Sequence, residues 1–234
     1  MIPSFSINLY GIMLVSSLVI GFIYIAAGMI KSGIPKETTI LCIILLSTLV
    51  LLGGTYFSFF QHLNEDISLF QTGMTSSGGA IGMILGIIII TFLYPDIKVI
   101  IWNIISTSLP LIYSIGKIGC HFAGCCHGKP YSGPFAITYT TGDFANKPIF
   151  PVQITETIVF FIIFIIGCFL YYYKKNNNTA LLMIVACSSA KFFLDFLRYD
   201  RPGKFLSINQ YACLFIAVTT FIIVKRIPIV KKDS

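Results

Sequence analysis

The chain has 234 residues, of which 56% are hydrophobic and only 11% charged, with a net charge of +7. A soluble domain carries about 25% charged residues, and the longest polar stretch here is too short for an independent core, so a water-soluble globular protein is excluded. The positive charge is dispersed over loops, which fits membrane topology and contact with anionic lipid and argues against nucleic-acid binding.

Taken in chain order, the apolar pattern predicts an all-α integral membrane protein with seven transmembrane helices, read as one transmembrane domain over residues 1–234. The spans run about Asn8 to Ile30, Thr39 to Phe60, Gly78 to Tyr94, Lys98 to Gly119, Pro151 to Tyr173, Thr179 to Arg198 and Leu206 to Val224. Each is close to the ~20 residues that the hydrocarbon layer requires. The opening residues lack the basic flank of a cleavable signal, so the first span is expected to remain as a helix.

Lysine and arginine set the orientation. Lys31, Lys36, Lys98, Lys174, Lys175, Lys225, Arg226, Lys231 and Lys232 all follow odd-numbered spans, whereas the loop at 61–77 has Glu65 and Asp66 and no basic residue. The positive-inside rule then puts the N-terminus outside, the C-terminus in the cytoplasm, and a polar segment at about 117–150 on the outer face. In the third span Gly78, Gly82 and Gly86 recur every four residues, a smooth strip against which another helix packs. Gly78 and Gly79 also offer bare backbone to a lipid head group.

The polar segment opens with GKIGCHFAGCCHGKPYSGP, residues 116–134. Cys120, His121, Cys125, Cys126 and His127 read as metal ligands only weakly, because structural zinc sites use two separated ligand pairs and no second pair exists elsewhere. No metal and no cofactor is expected. A redox pair of Cys125 and Cys126 is disfavoured by the strain of bonding neighbours. A nucleophilic thiolate beside Lys117, Lys129 and a histidine is one reading; a glycine-rich turn whose cysteines fill small spaces is the other.

Ionisable residues within the spans are functional candidates by default, since a charge in hydrocarbon needs a partner or a cavity. In KFFLDFLRYD, Lys191, Asp195 and Arg198 fall at i, i+4 and i+7, so one helix face carries all three. Asp195 can pair with Lys191 or Arg198. Gln153 and Glu156 share a side of the fifth helix, Asn209 and Gln210 open the seventh, and Lys117 ends the fourth. Three cations stand against two carboxylates, an imbalance that a lipid phosphate would correct. The alternative is a buried ion network that only fixes helix packing, with Arg198 as an interfacial anchor.

With these motifs in view, the chain resembles the bacterial prolipoprotein diacylglyceryl transferases nearly end to end. Tyr10 and Gly11 match a Tyr-Gly pair, and SSGGA matches the segment of a His-Gly-Gly motif. GKIGC is similar to a Gly-Arg-Ile-Gly-Asn signature, FPVQITE to His-Pro-x-Gln-Leu-Tyr-Glu, KFFLDFLR to Arg-Phe-x-x-Glu-Phe-x-Arg, and SINQ to Ser-x-Gly-Gln. The resemblance implies transfer of a diacylglyceryl group from phosphatidylglycerol, or a related anionic phospholipid, to the thiol of a cysteine-containing protein or peptide acceptor. A thioether forms and glycerol 1-phosphate leaves. It also implies a multi-pass protein of the bacterial plasma (inner) membrane.

The departures are Ser77 for histidine, Lys117 for arginine, Cys120 for asparagine, Cys125 for an acidic residue, Phe150 for histidine, Lys191 for arginine and Asp195 for glutamate. Arg198, Gln153, Glu156, Gly128, Gln210 and Tyr10 are kept. The reading built on this resemblance assigns Lys117, Lys191, Arg198, Asp195, Glu156, Cys125 and His127 to catalysis, with Cys120, Cys125, Cys126, His121 and His127 as the place where the chain departs from the family, serving a changed acceptor or an enzyme-bound intermediate. It assigns Tyr10, Ser77, Gly78, Gly79, Cys120, His121, Cys126, Gly128, Gln153 and Gln210 to substrate binding. Two alternatives stay open: an enzyme of the same fold that uses a cysteine as nucleophile, and a non-catalytic lipid-binding relative. A transporter is disfavoured because the halves show no inverted repeat.

Overall fold

The computed structural model describes residues 7–63, 73–140, 144–199 and 205–226. Glu65, Asp66, Lys231 and Lys232, used above for orientation, lie outside the described residues. The described chain is helical: α1 (Ile7–Lys31), α2 (Lys36–Gln61), α3 (Ser76–Leu93), α4 (Lys98–Ala123), α5 (Val152–Cys168), α6 (Thr179–Leu194) and α7 (Ile208–Arg226). Helices suit this composition because each satisfies its own backbone polar groups without water. Six helical stretches are long and apolar enough to cross a membrane, and the corresponding apolar run of α7, Ile208–Thr220, is shorter. Residues such as Ile12, Val15, Phe92 and Phe161 are exposed on helix surfaces, as expected where the surroundings are hydrocarbon.

Two boundaries, those of α4 and α6, differ from the sequence reading in ways that matter, while α5 ends where expected. Helix α4 runs one turn further than Gly119, to Ala123, so Cys120 and His121 are helical. Helix α5 continues through a π-turn, Phe169–Tyr173. Helix α6 ends at Leu194, and Asp195–Leu197 tighten into a 3-10 turn after which Arg198 is extended, with φ −83° and ψ 148°. The expectation that Lys191, Asp195 and Arg198 share one continuous helix face is therefore corrected: the helix stops before Arg198.

The chain divides into two compact units, Ile20–Leu109, and Met1–Val19 together with Pro110–Ser234. The divisions fall within α1 and at Pro110 of α4, where a missing N–H interrupts the helical ladder.

In the unit Ile20–Leu109, α2 and α3 pack through glycines. A Cβ on Gly82 would lie 2.7 Å from the carbonyl carbon of Leu49, and one on Gly86 would meet Leu46 Cδ2 at 2.7 Å. Gly78 abuts the Gly53 carbonyl and Phe57. Thr75 caps the start of α3, accepting the Gly78 N–H at 3.3 Å. The glycine strip is thus a helix-packing surface, as its spacing predicted.

In the other unit α5 packs against α6 and α6 against α7. The segment between α4 and α5 forms no regular strand among the described residues. Isolated bridges join Gly128 to Arg198, Pro130 and Ile137 to Ile149, and Tyr139 to Ala145, around the buried Ile149 and Tyr139.

Alanine at Gly82 should lower stability in detergent by about 1–3 kcal/mol through overpacking. Alanine at Gly79, whose nearest neighbour would be Val50 Cγ1 at 3.6 Å, should be neutral or slightly stabilising. Thermal melts of the two variants check this.

Candidate active site

The unit containing α5–α7 holds a buried ionic cluster centred on Glu156. This carboxylate is 0% exposed, and Lys117 and Lys191 are 5% and 7% exposed. Lys117 Nζ lies 2.7 Å from Glu156 Oε2, a charge contact without a well-directed hydrogen bond. Lys191 Nζ donates to Oε1 at 2.8 Å, and the Tyr113 hydroxyl donates to the same oxygen at 2.9 Å. The two ammonium groups also stand over the Tyr113 ring, 5.2 and 5.4 Å from its centroid, where the ring face favours cations. One carboxylate thus ties α4, α5 and α6 together.

The second carboxylate, Asp195, holds the cluster's other end. Its Oδ2 accepts a short hydrogen bond from the Ser207 hydroxyl. Its Oδ1 faces Lys191 Nζ at 3.8 Å and Arg198 Nη1 at 4.0 Å. Gln210, 0% exposed, accepts the Ser207 N–H at 3.0 Å and donates to the Phe192 carbonyl at 3.1 Å. The start of α7 is thereby fixed to the end of α6. Asp195 does reach Lys191 and Arg198, as expected, but only at long range: Glu156 takes the two lysines closely, and Asp195 bonds first to Ser207.

Arg198 is positioned by the polar segment. Lys129 N–H donates to the Leu197 carbonyl and Tyr199 N–H to the His127 carbonyl, each at 3.0 Å. These bonds bracket the Gly128–Arg198 bridge. Gly128 has no room for a side chain, since a Cβ there would run into the Phe150 carbonyl. The glycine therefore permits the close backbone pairing that places the arginine.

The cysteines gather beside this pairing. The Sγ atoms of Cys120, Cys125 and Cys126 all lie within 4.8 Å of one another, and all seven cysteines of the chain are free thiols. Hydrogen bonding from Cys120 and Cys125 holds the Cys126 thiol well below the usual thiol range, with Lys117 and Arg198 adding to the effect against the opposing cost of burial. The Cys125 thiol is pushed far up, by its bonds to Cys120 and Cys126 and then by burial.

Gln153 supports this turn from α5. Its Nε2 donates to the Cys125 carbonyl at 2.7 Å and to the Tyr139 hydroxyl at 3.2 Å. Its Oε1 is buried and accepts no hydrogen bond among the described residues. The Tyr139 hydroxyl reaches the His121 carbonyl at 3.2 Å and lies 3.4 Å from His121 Nδ1; burial raises its pKa to about 12. His127 packs between the rings of Tyr139 and Phe144, at 5.3 and 4.7 Å. Tyr10 comes from α1, its ring in range of a Cβ on Gly119 at 3.7 Å.

Of the sequence-predicted residues, Lys117, Glu156, Lys191, Asp195 and Arg198 form one connected cluster. Cys120, Cys125, Cys126, Gln153 and His121 form a second, joined to it through α4 and α5. Ser77, Gly78 and Gly79 begin α3, in the other unit. Sequence reasoning missed Tyr113 and Tyr139, and reached Ser207 only as the first residue of the SINQ motif. Tyr113 sits four residues before Lys117, a helical spacing that was available as a signal; Tyr139 lies in a loop with no periodicity to expose it.

The profile of the prolipoprotein diacylglyceryl transferase family matches residues 1–226. The chain belongs to that family. Among its relatives is a phosphatidylglycerol–prolipoprotein diacylglyceryl transferase of Clostridium tetani, 29% identical over 118 residues, covering 48% of this chain and 47% of the relative. A second enzyme of that description, from Clostridium perfringens, is 27% identical over 157 residues, covering 64% of this chain and 60% of the relative. The chain thus spans about half to three-fifths of the length of these curated relatives. Family membership and six apolar helices make it a multi-pass membrane protein.

Replacing Glu156 by Gln leaves two buried ammonium groups facing each other and should cost about 3–5 kcal/mol. Replacing the triad together (Lys117→Met, Glu156→Leu, Lys191→Met) should restore most of that stability. Denaturation in detergent measures both; a loss below about 1 kcal/mol for E156Q, the scale of a solvated surface pair, would contradict the buried ion-pair account.

Proposed function

We propose that the protein transfers the diacylglyceryl group of phosphatidylglycerol to the cysteine thiol of a lipoprotein-type acceptor, at the outer face of the bacterial plasma membrane. The reading includes the seven-span topology as one membrane domain, the N-terminus outside, the C-terminus cytoplasmic, and the polar segment at about 117–150 facing outward. The observation that carries it is the convergence of Lys117, Lys191 and Arg198 with Glu156 and Asp195 in one buried cluster, within a chain of this family.

The chemistry follows from those groups. The acceptor sulfur attacks the glyceryl carbon, the S–C bond forms, and the C–O bond to the phosphate breaks. Glycerol 1-phosphate carries away the oxygen and its electron pair, and the thiol proton passes to a base. The leaving phosphate gains negative charge as the bond breaks, so cations preorganised in a low-dielectric site stabilise the transition state more than the ground state. Glu156 and Asp195 keep those cations from separating before lipid arrives. Lysine at positions 117 and 191 preserves charge but gives up the two-pronged grip of arginine, leaving Arg198 as the group able to hold two phosphate oxygens at once. The orphaned acceptor Gln153 Oε1 fits a hydroxyl of the glycerol head group, since an unpaired buried acceptor costs about 1–3 kcal/mol. Tyr10 and Gln210 complete the lipid-binding set of this unit in this reading.

The gathering of Cys120, Cys125 and Cys126, whose sulfurs all lie within 4.8 Å of one another, favours a second reading, in which the enzyme itself takes the lipid as a covalent intermediate. Incubating the purified protein with radiolabelled phosphatidylglycerol separates the two, because label retained on Cys125 or Cys126 after denaturation belongs to the second alone.

The test of the main reading is complementation of a strain depleted of its own transferase, with mass spectrometry of a reporter lipoprotein. The reporter should gain one diacylglyceryl group, and Arg198→Ala should lower the rate by about 10²–10³-fold, the usual cost of removing a charge-stabilising donor. A reporter left unmodified by well-expressed protein would reject the reading.

A further inference from the structure

We propose that Cys120, Cys125 and Cys126 form a three-thiolate site for a thiophilic metal ion, zinc(II) or copper(I), with one coordination position left for the thiol of the acceptor. The last clause rests on the transferase reading above; the site itself does not.

Three features of the chain build the cluster. Cys120 stands on the last turn of α4. Beyond it the chain reverses, with Gly124 at φ 62° and Cys126 at φ 58°, and the Cys125 N–H returns to the Cys120 carbonyl at 3.2 Å. The reversal turns two adjacent thiols, which an extended chain would send to opposite sides, toward the same third sulfur. All three Sγ atoms lie within 4.8 Å of one another. Sulfurs bound to one tetrahedral ion at about 2.3 Å stand about 3.8 Å apart, so closing the site takes a contraction of about 1 Å or less, within reach of side-chain rotation.

The backbone at Cys126 gives an independent reason. A non-glycine residue in the left-handed region is uncommon and carries strain that the surroundings must offset. Glycine would relieve it, and Gly124 shows that this turn accepts glycine. A cysteine kept in that conformation is explained when its sulfur has to meet the other two. The turn is also braced from behind: Gln153, itself 0% exposed, donates to the Cys125 carbonyl at 2.7 Å. Such outer contacts hold metal ligands in place.

Donor chemistry sets the class of ion. Three sulfurs and no oxygen or imidazole select zinc(II) or copper(I) over magnesium, calcium or manganese. Three thiolates around a divalent ion leave one net negative charge, which the single excess positive charge of Lys117, Lys191 and Arg198 over Glu156 and Asp195 offsets. Among the described residues no fourth cysteine, histidine or carboxylate joins the group, so a tetrahedral ion keeps one position open, the arrangement of catalytic rather than structural zinc. A thiol entering that position binds as thiolate and releases its proton to water. The bond formed is metal to sulfur, the bond broken is S–H, and no oxidant is consumed. The rule of two separated pairs, which set metal aside at the level of sequence, describes closed structural sites, and an open three-sulfur site falls outside it.

The test uses the full-length protein in mild detergent, purified without chelator. Elemental analysis should find about one zinc or copper per chain. Cys126→Ser or Cys120→Ser should weaken zinc binding by more than the about 10–100-fold that an outer-contact change costs, while Cys213→Ser, in α7, should leave it unchanged. Loading the unaltered protein with cobalt(II) needs no variant to fold, and should give thiolate-to-cobalt charge transfer with tetrahedral visible bands. A cysteine-containing peptide should then shift those bands. Metal content no higher than that of Cys126→Ser, or cobalt spectra without thiolate character, would overturn the site. Cobalt bands unmoved by the peptide would overturn the open position. A peptide that shifts the bands but is never lipidated would sink the transferase reading and leave the metal site standing.

Discussion

Glu156 is the constraint on which the rest of this unit depends. A carboxylate with no solvent exposure, set in a helical protein whose surroundings are apolar, persists only if its charge is matched. It is matched twice, by Lys117 from α4 and Lys191 from α6, and steadied by the Tyr113 hydroxyl. Removing the carboxylate would strand two almost fully buried ammonium groups. Ion pairs of this kind add little to stability compared with apolar packing of equal volume. Their presence is better accounted for by the cations they keep in place than by the stability they supply.

The polar segment after α4 acts on the same cluster through backbone rather than charge. Gly128 lies so close to Phe150 that no side chain fits, and this allows residues 127–129 to pair with residues 197–199. Arg198 is extended because of that pairing, held near Asp195 but released from the helix that carries Lys191. Ser207 and Gln210 then bind the start of α7 to Asp195 and Phe192, so four elements converge on one polar interior.

Much of this was legible in the sequence. Charges inside apolar runs have few physical justifications, so Lys117, Glu156, Lys191 and Asp195 announced themselves, and glycines every four residues announced the α2–α3 contact. What stayed hidden depends on distance across the chain. Helical periodicity spaced Lys191, Asp195 and Arg198 along one face and gave no sign that the helix would end first. Tyr113 is one aromatic residue among many in an apolar helix, and only its partner distinguishes it. Tyr139 gains its role from a loop whose path is set by bridges to Ile149 and Ala145. Cys125 and Cys126 looked unable to act together, because adjacency predicts divergence unless a left-handed turn intervenes.

The central claim is that the buried cations exist to grip one phospholipid head. Native mass spectrometry tests it most directly, on protein released from micelles holding phosphatidylglycerol and phosphatidylethanolamine in equal amounts. The account predicts that the unaltered protein retains one phosphatidylglycerol in preference to phosphatidylethanolamine, and that Arg198→Ala abolishes the preference. Equal retention of the two lipids by the unaltered protein, or a preference untouched by loss of Arg198, would contradict it.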